Sequence, residues 1–252
     1  MITINSRFLL GPRSLVNGIQ AYWSLDSTYA DITGNGHTLT SSTGNVQWNY
    51  SQGKWGGSAY MPYTGSYNQL LTAAGGPTTY NITNTTGFSF GGWYYMPWAG
   101  ANYSLVGFHS GGGEGSGTML YRNATNTYEF RIGTGQSFIN TPATSSTSNG
   151  TCYHMCTYDT KVLRHFIWVS TSEYSWNEIS YSGPFNIGTE TFKFNINGSS
   201  ACLDEWGLWN RGLTRAEVEG LFRSYSQAGG TYNPYQKFSV AAHVSPIPLI
   251  RP

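Results

Sequence analysis

Residues 201–225 read ACLDEWGLWNRGLTRAEVEGLFRSY: a strand, a tight turn and a capped helix in succession. Side chains of a strand alternate between its two faces. Cys202, Asp204, Trp206 and Leu208 therefore fall on one face, and Leu203, Glu205, Gly207 and Trp209 on the other. Both faces carry large apolar groups, so the stretch predicts a central strand covered on both sides, with one carboxylate on each. Asn210, Arg211 and Gly212 then supply turn chemistry. Thr214 followed by Glu217 is a capping box, in which the hydroxyl takes one orphan helix amide and the carboxylate reaches back for another. Val218, Leu221, Phe222 and Tyr225 follow at i, i+3, i+4 and i+7, the apolar stripe of a short helix lying on something.

Outward from this unit the chain is a series of short β segments. A first strand carries Ala21, Trp23 and Leu25 on one face, and others are expected near 37–40, 45–50, 58–62, 68–72, 87–97, 103–109, 118–122, 128–133, 136–140, 152–158, 162–170, 177–181 and 191–195. Gly-rich and Asn/Thr-rich turns separate them, the spacing of a sandwich rather than of βαβ units. The chain of 252 residues has room for one sizeable domain. Only 10% of residues are charged and 16% are aromatic, which excludes disorder and suits strands. A net charge of +1 offers no basic stripe for nucleic acid. No stretch has the length of a membrane span, and the N-terminus lacks a basic region, a long apolar core and a cleavage site. The chain is therefore expected to stay in the cytoplasm or leave by a route other than secretion. Seven Asn-x-Ser/Thr sequons, at Asn49, Asn81, Asn84, Asn102, Asn123, Asn149 and Asn197, are read as bare.

Four motifs in register resemble the laminin G-like domains of the concanavalin A-like lectin/glucanase group. These are GIQAYWSLD (18–26) with DITGNGH (31–37), FSFGGW (88–93), YHMCTYD (153–159), and the strand, turn and helix quoted above. The resemblance runs from about Gly18 to Tyr225. It implies an all-β jelly-roll sandwich of two antiparallel sheets, with one short C-terminal helix, across residues 17–228. Residues 1–16 form an N-terminal arm with the breaker Gly11 and Pro12. Residues 229–252 form an apolar tail with Pro234, Pro246, Pro248 and Pro252, which favour extended backbone. Such a tail either packs on a partner, lies along its own sandwich, or is disordered.

Candidate chemistry is sparse. The loop from Asp31 to His37 gathers oxygen ligands of the kind calcium takes. The resemblance implies that the first and last strands are neighbours, so that Asp31, Asn35, His37 and Asp204 could hold a structural calcium; alternatively Asp31 makes an Asx-turn and Asp204 accepts backbone hydrogen bonds. Retaining glucanases of this fold place two glutamates and an aspartate as Glu-x-Asp-x-x-Glu on one strand, and no such run exists here. Asp204 and Glu205 would diverge to opposite faces, and no Gly-x-Ser-x-Gly elbow is present, so no catalytic residue is assigned. Cys152 and Cys156 share a strand and stand about 13 Å apart at ~3.3 Å per residue, too far for a disulfide; they read as buried thiols. Trp23, Trp93, Trp168, Trp206 and Trp209 read as core. Trp98, Tyr103, Tyr174 and Trp176, which flank or lie in expected loops, are candidates for stacking sugar rings or further core residues.

These features resemble those of phage virion proteins. The expectation is a non-enzymatic structural or binding module on a virion surface, as capsid decoration or a tail-associated protein. It would be assembled in the host cytoplasm, form a homo-oligomer, contact virion or capsid proteins through its arms and meet a cell-surface glycan. No nucleic acid or membrane partner is expected. The alternatives are a bacterial extracellular carbohydrate-binding module or adhesin whose export signal has been removed, and, behind it, a glycoside hydrolase.

Overall fold

The structure, a computed structural model, describes residues 15–41, 46–48, 57–62, 69–95, 103–109, 117–123, 127–145, 151–168, 174–196 and 200–226. Its strands in chain order are β1 Ile19–Trp23, β2 Leu39–Ser41, β3 Gln47–Trp48, β4 Ala59–Met61, β5 Gln69–Ala73, β6 Phe88–Tyr95, β7 Tyr103–Phe108 and β8 Thr118–Arg122. They continue as β9 Thr127–Gly133, β10 Phe138–Asn140, β11 Thr144–Ser145, β12 Thr151–Tyr158, β13 Val162–Trp168, β14 Tyr174–Ser180, β15 Phe192–Ile196 and β16 Ala201–Trp209. Helix α1 spans Arg215–Ser226. The chain is thus an all-β sandwich of two antiparallel sheets with one short helix. The first sheet runs β14-β13-β12-β6-β16-β4-β3 with β1 beside β16, and the second runs β10-β9-β8-β7-β15-β5-β2 with β11 beside β9. The opening and final strands are direct neighbours, with Tyr22 opposite Gly207 and Trp23 opposite Trp206.

Strand β16 is buried along its whole length, as its two apolar faces require. Its alternation, however, is interrupted. The register against β6 slips by one residue between Asp204 and Gly207. Glu205 there adopts φ 54°, the left-handed region that a non-glycine residue enters at a cost. The bulge brings Leu203 onto the same core-facing side as Trp206 and Leu208, where strict alternation would have placed it with Trp209. Gly92 makes the bulge feasible: a Cβ there would meet Trp206 Cγ at 2.6 Å and Glu205 O at 2.7 Å. Trp206 consequently reaches across to the second sheet, edge-on to Phe194 at 5.3 Å, and donates its indole N–H to Trp93 O at 2.8 Å.

Two apolar clusters result. One fills the space between the sheets, with Trp23, Phe88, Phe90, Phe130, Phe192 and Trp206 among its members. The other lies on the outer face of the first sheet, where α1 lays Val218, Leu221 and Phe222 on Trp93, Tyr153, Phe166, Trp168 and Trp209. All five tryptophans expected in the core are buried. The capping box is formed: Thr214 N–H donates to Glu217 Oε2 at 2.9 Å, and Glu217 N–H to Thr214 Oγ1 at 3.3 Å. Arg211 then grips the same carboxylate with two nitrogens, at 3.0 and 2.8 Å, and donates through Nε to Asn17 O at 2.7 Å, which ties the start of the sandwich to its helix.

The arm expected over residues 1–16 and the tail over 229–252 lie outside the described residues, apart from Leu15 and Val16. Leu15 belongs to the sandwich rather than to an arm: it is buried in the outer cluster, and its carbonyl accepts the Trp209 indole N–H at 2.8 Å. The three cysteines are buried and form no disulfide.

Candidate functional site

Strand β14 forms one edge of the first sheet. Its alternation sends Tyr174, Trp176 and Glu178 to the outer face, opposite Trp168, Phe166 and Arg164 of β13. The aromatic members stack in a continuous array. Tyr174 lies on Trp168 at 4.4 Å, Trp168 on Phe222 of α1 at 4.7 Å, and Trp176 on Phe166 at 5.9 Å. Such pairs each add about 0.5–1.5 kcal/mol beyond burial. Trp176 is the array's end and stays half-buried. A groove of about 310 Å³ opens beside it, lined by Asp159, Arg164, Trp176, Glu178, Thr214 and Arg215. The β16–α1 turn delivers Thr214 and Arg215, and the β12–β13 turn delivers Asp159.

Salt bridges fix the groove's polar groups. Arg164 bridges two carboxylates, reaching Asp159 Oδ2 through Nη1 at 2.7 Å and Glu178 Oε2 through Nε at 3.0 Å. Asp159 Oδ1 also accepts from the amides of Lys161 and Val162, at 3.1 and 2.9 Å. Burial works to raise the Asp159 pKa, but the hydrogen bonds from Arg164 and the two amides outweigh it and hold the carboxyl below its ordinary value. Arg215 sits over the Trp176 ring at 4.7 Å and pairs with Glu219 at 2.7 Å. An aromatic face flanked by fixed donors and acceptors is the chemistry of a polyhydroxylated ligand: C–H faces stack on the ring and hydroxyls bond the charged rim.

Of the residues singled out as ligand-binding, the groove is lined by Trp176, with Tyr174 two positions along the same face. Trp98 and the Tyr103 side chain lie outside the described residues; the Tyr103 backbone begins β7, opposite Arg122. Asp159, Arg164, Glu178 and Arg215 were not singled out. Their signal in the sequence is a polar residue interrupting the aromatic face of each strand of one hairpin, plus the cation that follows the helix cap.

The residues singled out for calcium divide into two groups. Asp31 Oδ1 accepts from Tyr22 N–H at 3.1 Å, Thr33 N–H at 3.0 Å and Thr33 Oγ1 at 2.7 Å, while Oδ2 accepts from His37 N–H at 3.1 Å. His37 O accepts the Trp23 indole N–H at 2.7 Å, and the Asn35 amide donates to Gln20 O at 2.9 Å. This loop has the hydrogen bonds of an Asx-turn, with Asp31 accepting three of them on Oδ1 and one on Oδ2. Asp204 keeps company with Glu205 instead. The bulge breaks the strict alternation that would send the two to opposite faces, and both are only 2% exposed. Glu205 accepts the Tyr22 hydroxyl hydrogen. Its pKa stands well above the usual carboxyl value because of burial first and the charge of Asp204 second. Among the described residues no group of three or more His, Cys, Asp or Glu side chains forms a metal cluster.

No protein-family model matches the sequence, and no curated relative does. Solved structures do. The binding domain of Paraclostridial mosquitocidal protein 1 superposes with a TM-score of 0.68 at 18% identity, over 84% of this chain and 53% of that one. The binding domain of botulinum neurotoxin DC in complex with SialylT gives 0.66 at 15% identity, over 84% and 52%. A structure of botulinum neurotoxin type C, whose cell entry is described as dependent upon interaction with two ganglioside molecules, gives 0.68 at 15%, over 84% and 52%. What they share with this chain is the fold. The chain spans about half the length of these neighbours. No helix of the described residues is long and apolar enough to cross a membrane.

Proposed function

We propose that the chain is a non-enzymatic, laminin G-like binding module that takes a glycan in the Trp176 groove, displayed on a phage virion as a capsid-decoration or tail-associated protein. The observation that carries the binding reading is the groove itself, with a half-buried indole beside an Arg164 guanidinium that two salt bridges tie to Asp159 and Glu178. The binding domains among the structural neighbours support it. Catalysis finds little support in the same geometry. Glycoside hydrolysis needs one carboxyl kept protonated as an acid, whereas Asp159 is pushed the other way. The carboxyl that does have a raised pKa, Glu205, is sealed in the fold.

The virion placement rests on the composition of residues 1–16 and 229–252, which would contact virion proteins or further copies of this chain. The toxin binding domains among the neighbours favour the second reading, an extracellular carbohydrate-binding module or adhesin. A glycan array probed with the full chain and with Trp176→Ala tests the binding: signal lost in the variant is expected, and a blank array for the parent would overturn it. Electron microscopy of particles decorated with the protein tests the placement, which a monomer absent from every particle would contradict.

A further inference from the structure

We infer that the Trp176 groove selects neutral sugars over sialylated or other anionic ones; the inference rests on the glycan reading above. Two arginines, Arg164 and Arg215, face two carboxylates, Asp159 and Glu178, across the lining, so the groove carries no net positive charge. Both cations already face carboxylates. Arg164 is committed to Asp159 and Glu178, and Arg215 to Glu219. Depth decides what a ligand meets first. The Arg164 side chain is only 19% exposed, whereas those of Asp159 and Glu178 are 35% and 47% exposed. The guanidinium thus works from beneath, holding two carboxylates at the rim. Glu178 Oε1 makes no hydrogen bond to the described residues and is left to accept a hydroxyl. A sugar hydroxyl can donate to these oxygens at once. A sialate carboxylate would be brought against like charges, which costs affinity and suppresses the wrong partner. The volume of about 310 Å³ suits a short stretch of sugar, being at the small end of the roughly 300–1,000 Å³ of ligand sites. Of the two guanidiniums, Arg215 lies over the indole and is half exposed, so the ligand gains the ring face by displacing it outward.

The test pairs neutral oligosaccharides with their sialylated counterparts, N-acetyllactosamine and its sialylated form among them, in an array followed by calorimetry. The full chain, Trp176→Ala and Glu178→Gln are compared. The expected result is a preference of about tenfold for the neutral member of a pair, lost binding in Trp176→Ala, and a preference reduced severalfold in Glu178→Gln. Glu178 is a surface residue, so that variant remains informative if Trp176→Ala does not fold. Equal or tighter binding of the sialylated member, or a ratio unmoved by Glu178→Gln, would overturn the inference alone. Binding of no glycan at all, or binding indifferent to Trp176→Ala, would overturn the glycan reading and the inference with it.

Discussion

Asp31 ties three backbone amides and one hydroxyl to a single carboxylate beside the first strand. Truncating it strands those amides in a half-buried turn, and unmet buried donors cost about 1–3 kcal/mol each. Asp31→Ala is therefore expected to destabilise the fold by about 3 kcal/mol, read as a lower Tm. The loss should be the same with and without a chelator. A Tm of the parent chain that falls on chelation would instead place calcium at this loop. The sequence showed Asp31 as a turn former or an ion ligand without deciding between them, because both uses need the same oxygens. It showed the core tryptophans plainly, since a sandwich of this size must bury them. Arg164 and Glu178 were hidden for a different reason. They meet only through the β13–β14 register, and cross-strand register is fixed by packing and turn geometry rather than by any local pattern.

Helix α1 is the element read most completely from its residues. Its cap and its stripe as far as Phe222 are present as its residues predict, and the Tyr225 side chain lies outside the described residues. Thr214→Ala should cost about 1 kcal/mol, as the loss of a capping side chain does. Glu217→Ala should cost more, about 2 kcal/mol, because the same carboxylate also holds Arg211 in a charge-assisted fork. Thermal unfolding of the two variants checks the order; equal losses would mean that Arg211 contributes nothing through Glu217. Strand β16 was legible as a buried central strand but not in its faces. A period-2 pattern cannot reveal one inserted residue, and the bulge at Glu205 reverses the side of everything before it. The signal lay elsewhere in the chain, in Gly92, where the absent side chain leaves room for Trp206. The two-residue β11 and the 3-10 turn at Pro77–Tyr80 were missed because segments so short carry no periodicity.

The whole molecule is layered as helix, sheet, sheet, and its interior holds an unusual polar pair. His154 and His165 lie parallel between the sheets, Nδ1 to Nε2 at 3.2 Å, both fully buried. Burial pushes the His165 pKa down to about 3, and burial, His165 and Arg122 together push His154 well below its ordinary value. One ring donates and the other accepts, and the depressed pKa values favour the neutral form of both. Their pKa values are depressed on folding, so the stability they contribute is full above the unfolded value of about 6.5 and is lost as pH falls toward the folded values. Glu205 has the opposite sign: its raised pKa favours the fold at low pH, and that contribution declines as pH rises. Each histidine proton steepens the acid slope by about 1.4 kcal/mol per pH unit. Melting curves between pH 7.5 and 4 should fall more steeply for the parent than for the variant with both histidines replaced by glutamine, even if that variant starts lower; parallel curves would remove the pair from the acid response. The proposed binding turns on Trp176, one of nine tryptophans and, among the described residues, the one that lines the groove. The most direct measurement follows the indole N–H resonances of the full chain by NMR while a glycan selected on the array is titrated in. The expected result is a saturable shift of the Trp176 resonance with those of Trp23, Trp93 and Trp206 unmoved; a bound glycan that leaves Trp176 in place and shifts other resonances would contradict it.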